Sequence, residues 1–172
     1  MNAATLWPLW PRLSQRVAAG VFWLAASLAM AGPPPPNPGE RDLCPVCGML
    51  VSRYPHWIAV VAYRDGRAHF FDGAKDLFKY LGNLPRYAPG RSTDDIVSIW
   101  VTEYYGLTRI DARRAFYVIG SDTPGPMGHE FVAFATRADA EEFLKEHRGR
   151  RILAFGEVTA ELAARLDKGL FD

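Results

Sequence analysis

Apolar and polar positions alternate between two periods along this chain. Trp57-Ile58-Ala59-Val60-Val61-Ala62-Tyr63 is aromatic and β-branched and predicts a strand. Asp65-Gly66 predicts a tight hairpin turn, and Ala68-His69-Phe70-Phe71 predicts the return strand. Asp72 stands where a helix N-cap belongs, ahead of a helix over 73–81 with Leu77, Phe78, Tyr80 and Leu81 on its apolar face. Residues 82–94, with Pro85, Pro89 and Gly90, predict a loop, and residues 96–105 a third strand. The same order then recurs. Strands are predicted over 115–119 and 131–134, Thr136 caps a helix over 137–147, Gly149 takes the C′ place, and 151–155 is a strand. A short helix over 159–166 closes the chain. The pattern from Phe70 to Phe78 aligns with that from Val132 to Ala140. The expected fold is α+β: duplicated ββαβ units, residues 44–110 and 111–172, with small mixed or antiparallel sheets and helices packed on them. Neither unit is large enough for a comfortable core, so the two are expected to share an interface.

The first residues follow another rule. Arg12 and Arg16 precede a run from Val17 to Ala31 that is apolar or small apart from Ser27, and Ala29-Met30-Ala31 fits a small-x-small cleavage site. Residues 1–31 therefore read as a secretory signal and residues 32–43, rich in proline, as a stiff linker. The expected location is the periplasm, with membrane attachment only if the signal stays uncleaved. The first cysteine, Cys44, lies well past the cleavage point, so no lipid anchor is expected. The whole chain has 20 Lys and Arg against 19 Asp and Glu, with no basic surplus for a nucleic acid partner. No phosphate-binding glycine loop or Ser-His-Asp pattern points to an enzyme, and Asp72, Asp76, Asp94 and Asp95 read as caps and loop charges.

Candidate chemistry gathers in Cys44-Pro45-Val46-Cys47-Gly48-Met49, which holds both cysteines. Signal removal leaves two methionines, Met49 and Met127, each in a turn-like segment with glycine rather than in an apolar run, at comparable places in the two halves. His129 lies two residues beyond Met127; His56 and His69 are secondary candidates, and His147 suits a helix end. Thiolate and thioether form a soft donor set that selects Cu(I). Structural zinc normally takes four Cys or His ligands, and a second Cys pair or a spaced His pair is missing. The metal reading therefore takes Cys47, Met49, Met127 and His129 as ligands, with Cys44 optional. Two other readings stay open: a thiol–disulfide oxidoreductase using Cys44 and Cys47, although no helix is predicted to open behind the pair, and a structural module with a plain disulfide, as an exported protein would allow.

Cys44-Pro-Val-Cys-Gly-Met49, the run from Phe70 to Tyr80, Val101-Thr-Glu-Tyr-Tyr105, Ala115 to Asp122 and Gly125-Pro-Met-Gly-His-Glu130 together resemble the NosL family of nitrous oxide reductase accessory proteins. The resemblance runs in order from about Cys44 to Phe155. It implies an exported Cu(I)-binding protein of duplicated ββαβ fold that serves as a metallochaperone for a copper-receiving enzyme, nitrous oxide reductase. The family's Cys-Gly-Met falls on Cys47, Gly48 and Met49, and its Gly-Met loop on Met127 and its flanks. Two departures are evident. Members are typically lipoproteins, and the family motif needs one cysteine where this chain has two.

Overall fold

The computed structural model describes residues 35–172, so the signal and the start of the linker lie outside the described residues. Seven strands form two sheets. The first contains β1 (Ala59–Tyr63), β2 (Ala68–Phe71), β3 (Ile96–Thr102) and β4 (Arg109–Asp111), in the order β2-β1-β3-β4. The second contains β5 (Phe116–Ile119), β6 (Val132–Phe134) and β7 (Arg151–Ala154), in the order β6-β5-β7. Every pairing is antiparallel. In each half the first strand is central, the second lies on one side, and the strand after the helix lies on the other. This shared ordering carries the ββαβ repeat, and the architecture is α+β.

Helix α1 (Ala74–Gly82) packs on β1 and β2, and α3 (Arg137–Glu146) packs on all three strands of the second sheet. A short α2 (Leu84–Tyr87) lies within the stretch expected to be a loop; the Asn83 side chain accepts the Arg86 N–H, and Pro85 sits in its first turn. The last helix, α4 (Ala160–Leu166), lies against α1 and is capped by Thr159 as the sequence predicts. Among the described residues no helix is long and apolar enough to cross a membrane.

Strand alternation explains how the two halves fuse. Tyr117 and Ile119 of β5 face the main core, which also holds Val60, Val61, Phe71 and Leu77 from the first half. Val118, one position out of phase, points into a smaller cluster with Phe134 and Phe143 beneath α3. Phe78 of α1 sits at the seam, its ring centroid 5.1 Å from Tyr117 and 5.2 Å from Phe131. Edge-to-face pairs of this kind add about 0.5–1.5 kcal/mol each beyond area burial.

Several local expectations change. The repeat register is one residue off the sequence alignment: Phe71 and Phe134 end strands, and Ala74 and Arg137 open helices. The third strand stops at Thr102, because Glu103 accepts the backbone N–H groups of Tyr105 and Gly106 and turns the chain. Gly149 is not the left-handed residue after α3; Arg148 is, at φ 54°. Gly149 is needed for space instead, since a Cβ there would lie 2.6 Å from Val118 Cγ1. The linker is not free of the body either, for Pro36 accepts a hydrogen bond from Arg109 at 2.8 Å.

Candidate metal centre

The Cys44–Met49 segment is a closed loop. Cys44 N–H donates to Met49 O at 2.9 Å, Gly48 N–H donates to Cys44 O at 2.8 Å, and Leu43 bridges Leu50 outside it. Such a turn needs a residue with positive φ, and Gly48 supplies it at 78°. The turn places the two thiols side by side at the start of α1. Cys44 is buried and Cys47 half-buried, and both are free thiols.

Asp72 and Asp76 complete the group. One ligand atom from each of Cys44, Cys47, Asp72 and Asp76 lies within 4.8 Å of all the others. Cys44 Sγ donates to Asp76 Oδ2 at 3.3 Å, and Cys47 Sγ donates to Asp72 Oδ1 at 3.2 Å. This corrects the reading of both aspartates as caps or loop charges. Gly73 is the N-cap of α1 and Asp72 caps nothing. The buried Glu130, from the second half, accepts the Lys75 N–H at the helix start and its neighbour's N–H at Phe131. Burial pushes the Glu130 carboxyl up to about 8, against those two N–H groups and the nearby Lys75.

Burial is also the main influence on the thiols. It pushes Cys47 up to about 12, with Asp76 and Asp72 adding to the rise and the Met49 N–H opposing it. Cys44 is driven higher still, first by burial and then by the charge of Asp76, against the N–H groups of Cys47 and Val46. The metal-free site therefore keeps its thiol protons. Asp76 Oδ1 is buried and accepts no hydrogen bond, although Lys79 Nζ is 3.3 Å away, within ion-pair distance but not aligned. An unpartnered carboxylate oxygen beside two thiols suits a cation, which would pair with all four groups and displace the thiol protons.

Cys47 and Asp76 open onto a cleft of about 490 Å³, whose walls include Met127, Lys79, Tyr87 and Asp167. Cys47 and Met127, from opposite halves of the chain, thus line one cleft. Met127 is 43% exposed at the tip of its loop. Met49 follows the thiol loop and is half-buried. The two methionines do not occupy comparable places: Met49 precedes the first strand of its half, whereas Met127 lies between β5 and β6. His129 is exposed and packs edge-on against Phe171, ring centroids 4.9 Å apart, and is not among the cleft residues. His69 is engaged with the Tyr80 hydroxyl at 2.6 Å, and burial lowers its basicity. His147 sits at the end of α3 beside Asp122, as the sequence predicts. The aspartates were missed because a cap and a ligand look alike in sequence. The available signal was their position, Asp72 just before the helix and Asp76 in its first turn, so that the two flank the helix start.

Comparison with known proteins places the chain in a family. The profile of the NosL family matches residues 35–163. The copper-binding lipoprotein NosL of Stutzerimonas stutzeri is 30% identical over 125 residues, which are 72% of this chain and 65% of that protein. The chain thus spans just under two-thirds of that relative's length. The crystal structure of the copper chaperone NosL from Shewanella denitrificans superposes with a TM-score of 0.60 at 25% identity, covering 74% of this chain and 98% of that one. Fold, motif loop and profile converge, and the chain belongs to the NosL family.

Proposed function

We propose that this protein is an exported Cu(I)-binding accessory protein, not an enzyme, that carries copper to a cuproenzyme, with nitrous oxide reductase as the recipient. The observation that supports the reading is that sulfur-bearing residues from both halves line one cleft: Cys47, beside Cys44, from the first half and Met127 from the second. The family relatives named above are a copper-binding lipoprotein and a copper chaperone, neither of them an enzyme. In this reading Cys47 and Cys44 bind as thiolates, Met49 and Met127 supply thioethers, and Asp72 and Asp76 hold the two thiols in place through their hydrogen bonds. His129 contributes only if its contact with Phe171 opens.

Donor chemistry favours Cu(I) over zinc. Two thiols and two carboxylates satisfy the four-ligand count of a zinc site, so the sequence argument that zinc lacks partners does not hold once Asp72 and Asp76 are counted. The thioethers tip the balance, because zinc makes no use of them and Cu(I) does. Thiol–disulfide exchange is disfavoured by the same geometry. A catalytic thiol is normally lowered by a helix N-terminus or a cationic neighbour, whereas Cys47 is raised to about 12 and faces two aspartates.

Delivery is tested by mixing the Cu(I)-loaded chain anaerobically with copper-free nitrous oxide reductase and measuring copper in each after separation. Transfer of most of the copper, against little transfer from a small-molecule Cu(I) complex of equal affinity, is the expected result. Copper that stays with the chain would remove the assigned recipient.

A further inference from the structure

Lys75 lies on the second position of α1 and is 1% exposed, among the most buried side chains described. Its partners all lie outside its own helix. Nζ donates to the Met127 carbonyl at 2.9 Å and pairs with Asp167 Oδ1, just beyond α4, at 3.0 Å. Its backbone N–H donates to Glu130. Two of these three contacts reach one loop, residues 125–130.

That loop is a tight turn. Gly125 N–H donates to Gly128 O at 2.8 Å, the reverse bond closes at 3.2 Å, and Gly128 has φ 81°. Pro126 and Met127 form the tip. The Met127 side chain is exposed, while its carbonyl is tied inward by Lys75. A buried ammonium is poor value for stability, since an apolar side chain of the same length fills the volume without a desolvation penalty. An apolar side chain would leave the Met127 carbonyl without this donor.

We propose that Lys75 is a positioning residue for Met127: its ammonium group pins the Met127 carbonyl so that the thioether is presented to the cleft shared with Cys47, and Asp167 holds Lys75 in place. Asp167 also pairs with Lys79 at 2.7 Å, and Lys79 stands 3.3 Å from Asp76 Oδ1. The ion-pair network therefore runs from the Met127 loop through the end of α4 to the carboxylate that accepts the Cys44 thiol hydrogen bond. This inference rests on the reading of Met127 as a copper ligand.

The test uses Lys75→Leu, Asp167→Asn and Met127→Leu, singly and with each of the first two combined with the third. Without metal, the protein labelled at its methionine methyl groups should give a Met127 signal displaced from the free-methionine position. Lys75→Leu should move that signal toward the free position. With Cu(I), Lys75→Leu should lower affinity by about 10- to 100-fold, the usual scale for a group that orients a metal ligand. The loss should vanish in the Met127→Leu background. If Lys75→Leu does not fold, Asp167→Asn, at a side chain 41% exposed, should show the same pattern with a smaller loss. An equal loss in both backgrounds, or an unmoved methyl signal with unchanged affinity, would overturn the proposal. A weakened Met127→Leu with Lys75→Leu and Asp167→Asn both unaffected overturns the positioning role alone. A Met127→Leu protein that binds as tightly as wild type removes the ligand reading and this proposal together.

Discussion

Cys47→Ser is expected to weaken Cu(I) binding by roughly two to three orders of magnitude while leaving the fold in place. Apparent binding free energies for structural zinc are about 10–16 kcal/mol over four ligands, or roughly 2.5–4 kcal/mol per ligand. At about 1.4 kcal/mol per decade this gives the stated loss. A serine hydroxyl at position 47 still donates to Asp72, so the hydrogen bond seen at 3.2 Å is replaced rather than orphaned. The change is therefore in donor softness rather than packing. An anaerobic titration against a chromophoric Cu(I) competitor reads it directly, with thermal unfolding as the check on folding. Met127→Leu should cost less, because a thioether carries no charge. A Cys47→Ser protein that binds Cu(I) as well as wild type would leave the cysteines a purely structural role.

Affinity should also rise steeply with pH. Only the thiolate binds the metal, and both thiols are held protonated: Cys47 is raised to about 12, and Cys44 is raised by burial and by Asp76. The metal-free protein therefore binds more protons than the loaded one throughout the neutral range. By linkage, log K increases with pH by about one per pH unit for each thiol that ligates, so about 100-fold per unit if both do. A slope near one would make Cys47 the sole thiolate ligand. The measurement is the same competition titration from pH 6 to 8, corrected for the competitor's own protonation. A flat profile would mean that no thiol proton leaves on binding.

The strands and helices were legible because their signals are local. The apolar run around Val60, the Asp65-Gly66 turn and the Thr136 and Thr159 caps each fix their element within a few residues, and the structure keeps them. The long-range features were less legible. Asp72 looks like a helix cap until Glu130, 58 positions later in the sequence, is seen to hold the start of α1 instead. Nothing near Lys75 announces that it will be buried, because its partners Met127 and Asp167 come from other elements. His129 is two residues from Met127 in sequence, yet a turn at Gly128 separates the two, and the ring packs on Phe171. The sulfur-bearing segments could be named from composition and spacing. The carboxylates beside them became visible only with the tertiary packing.

Copper K-edge X-ray absorption on the anaerobically loaded protein tests the central claim most directly. The expected spectrum is that of Cu(I) at one ion per chain, with a first shell dominated by sulfur that loses amplitude in Cys47→Ser and in Met127→Leu. A Cu(II) edge, or a first shell of oxygen and nitrogen that neither substitution alters, would contradict it.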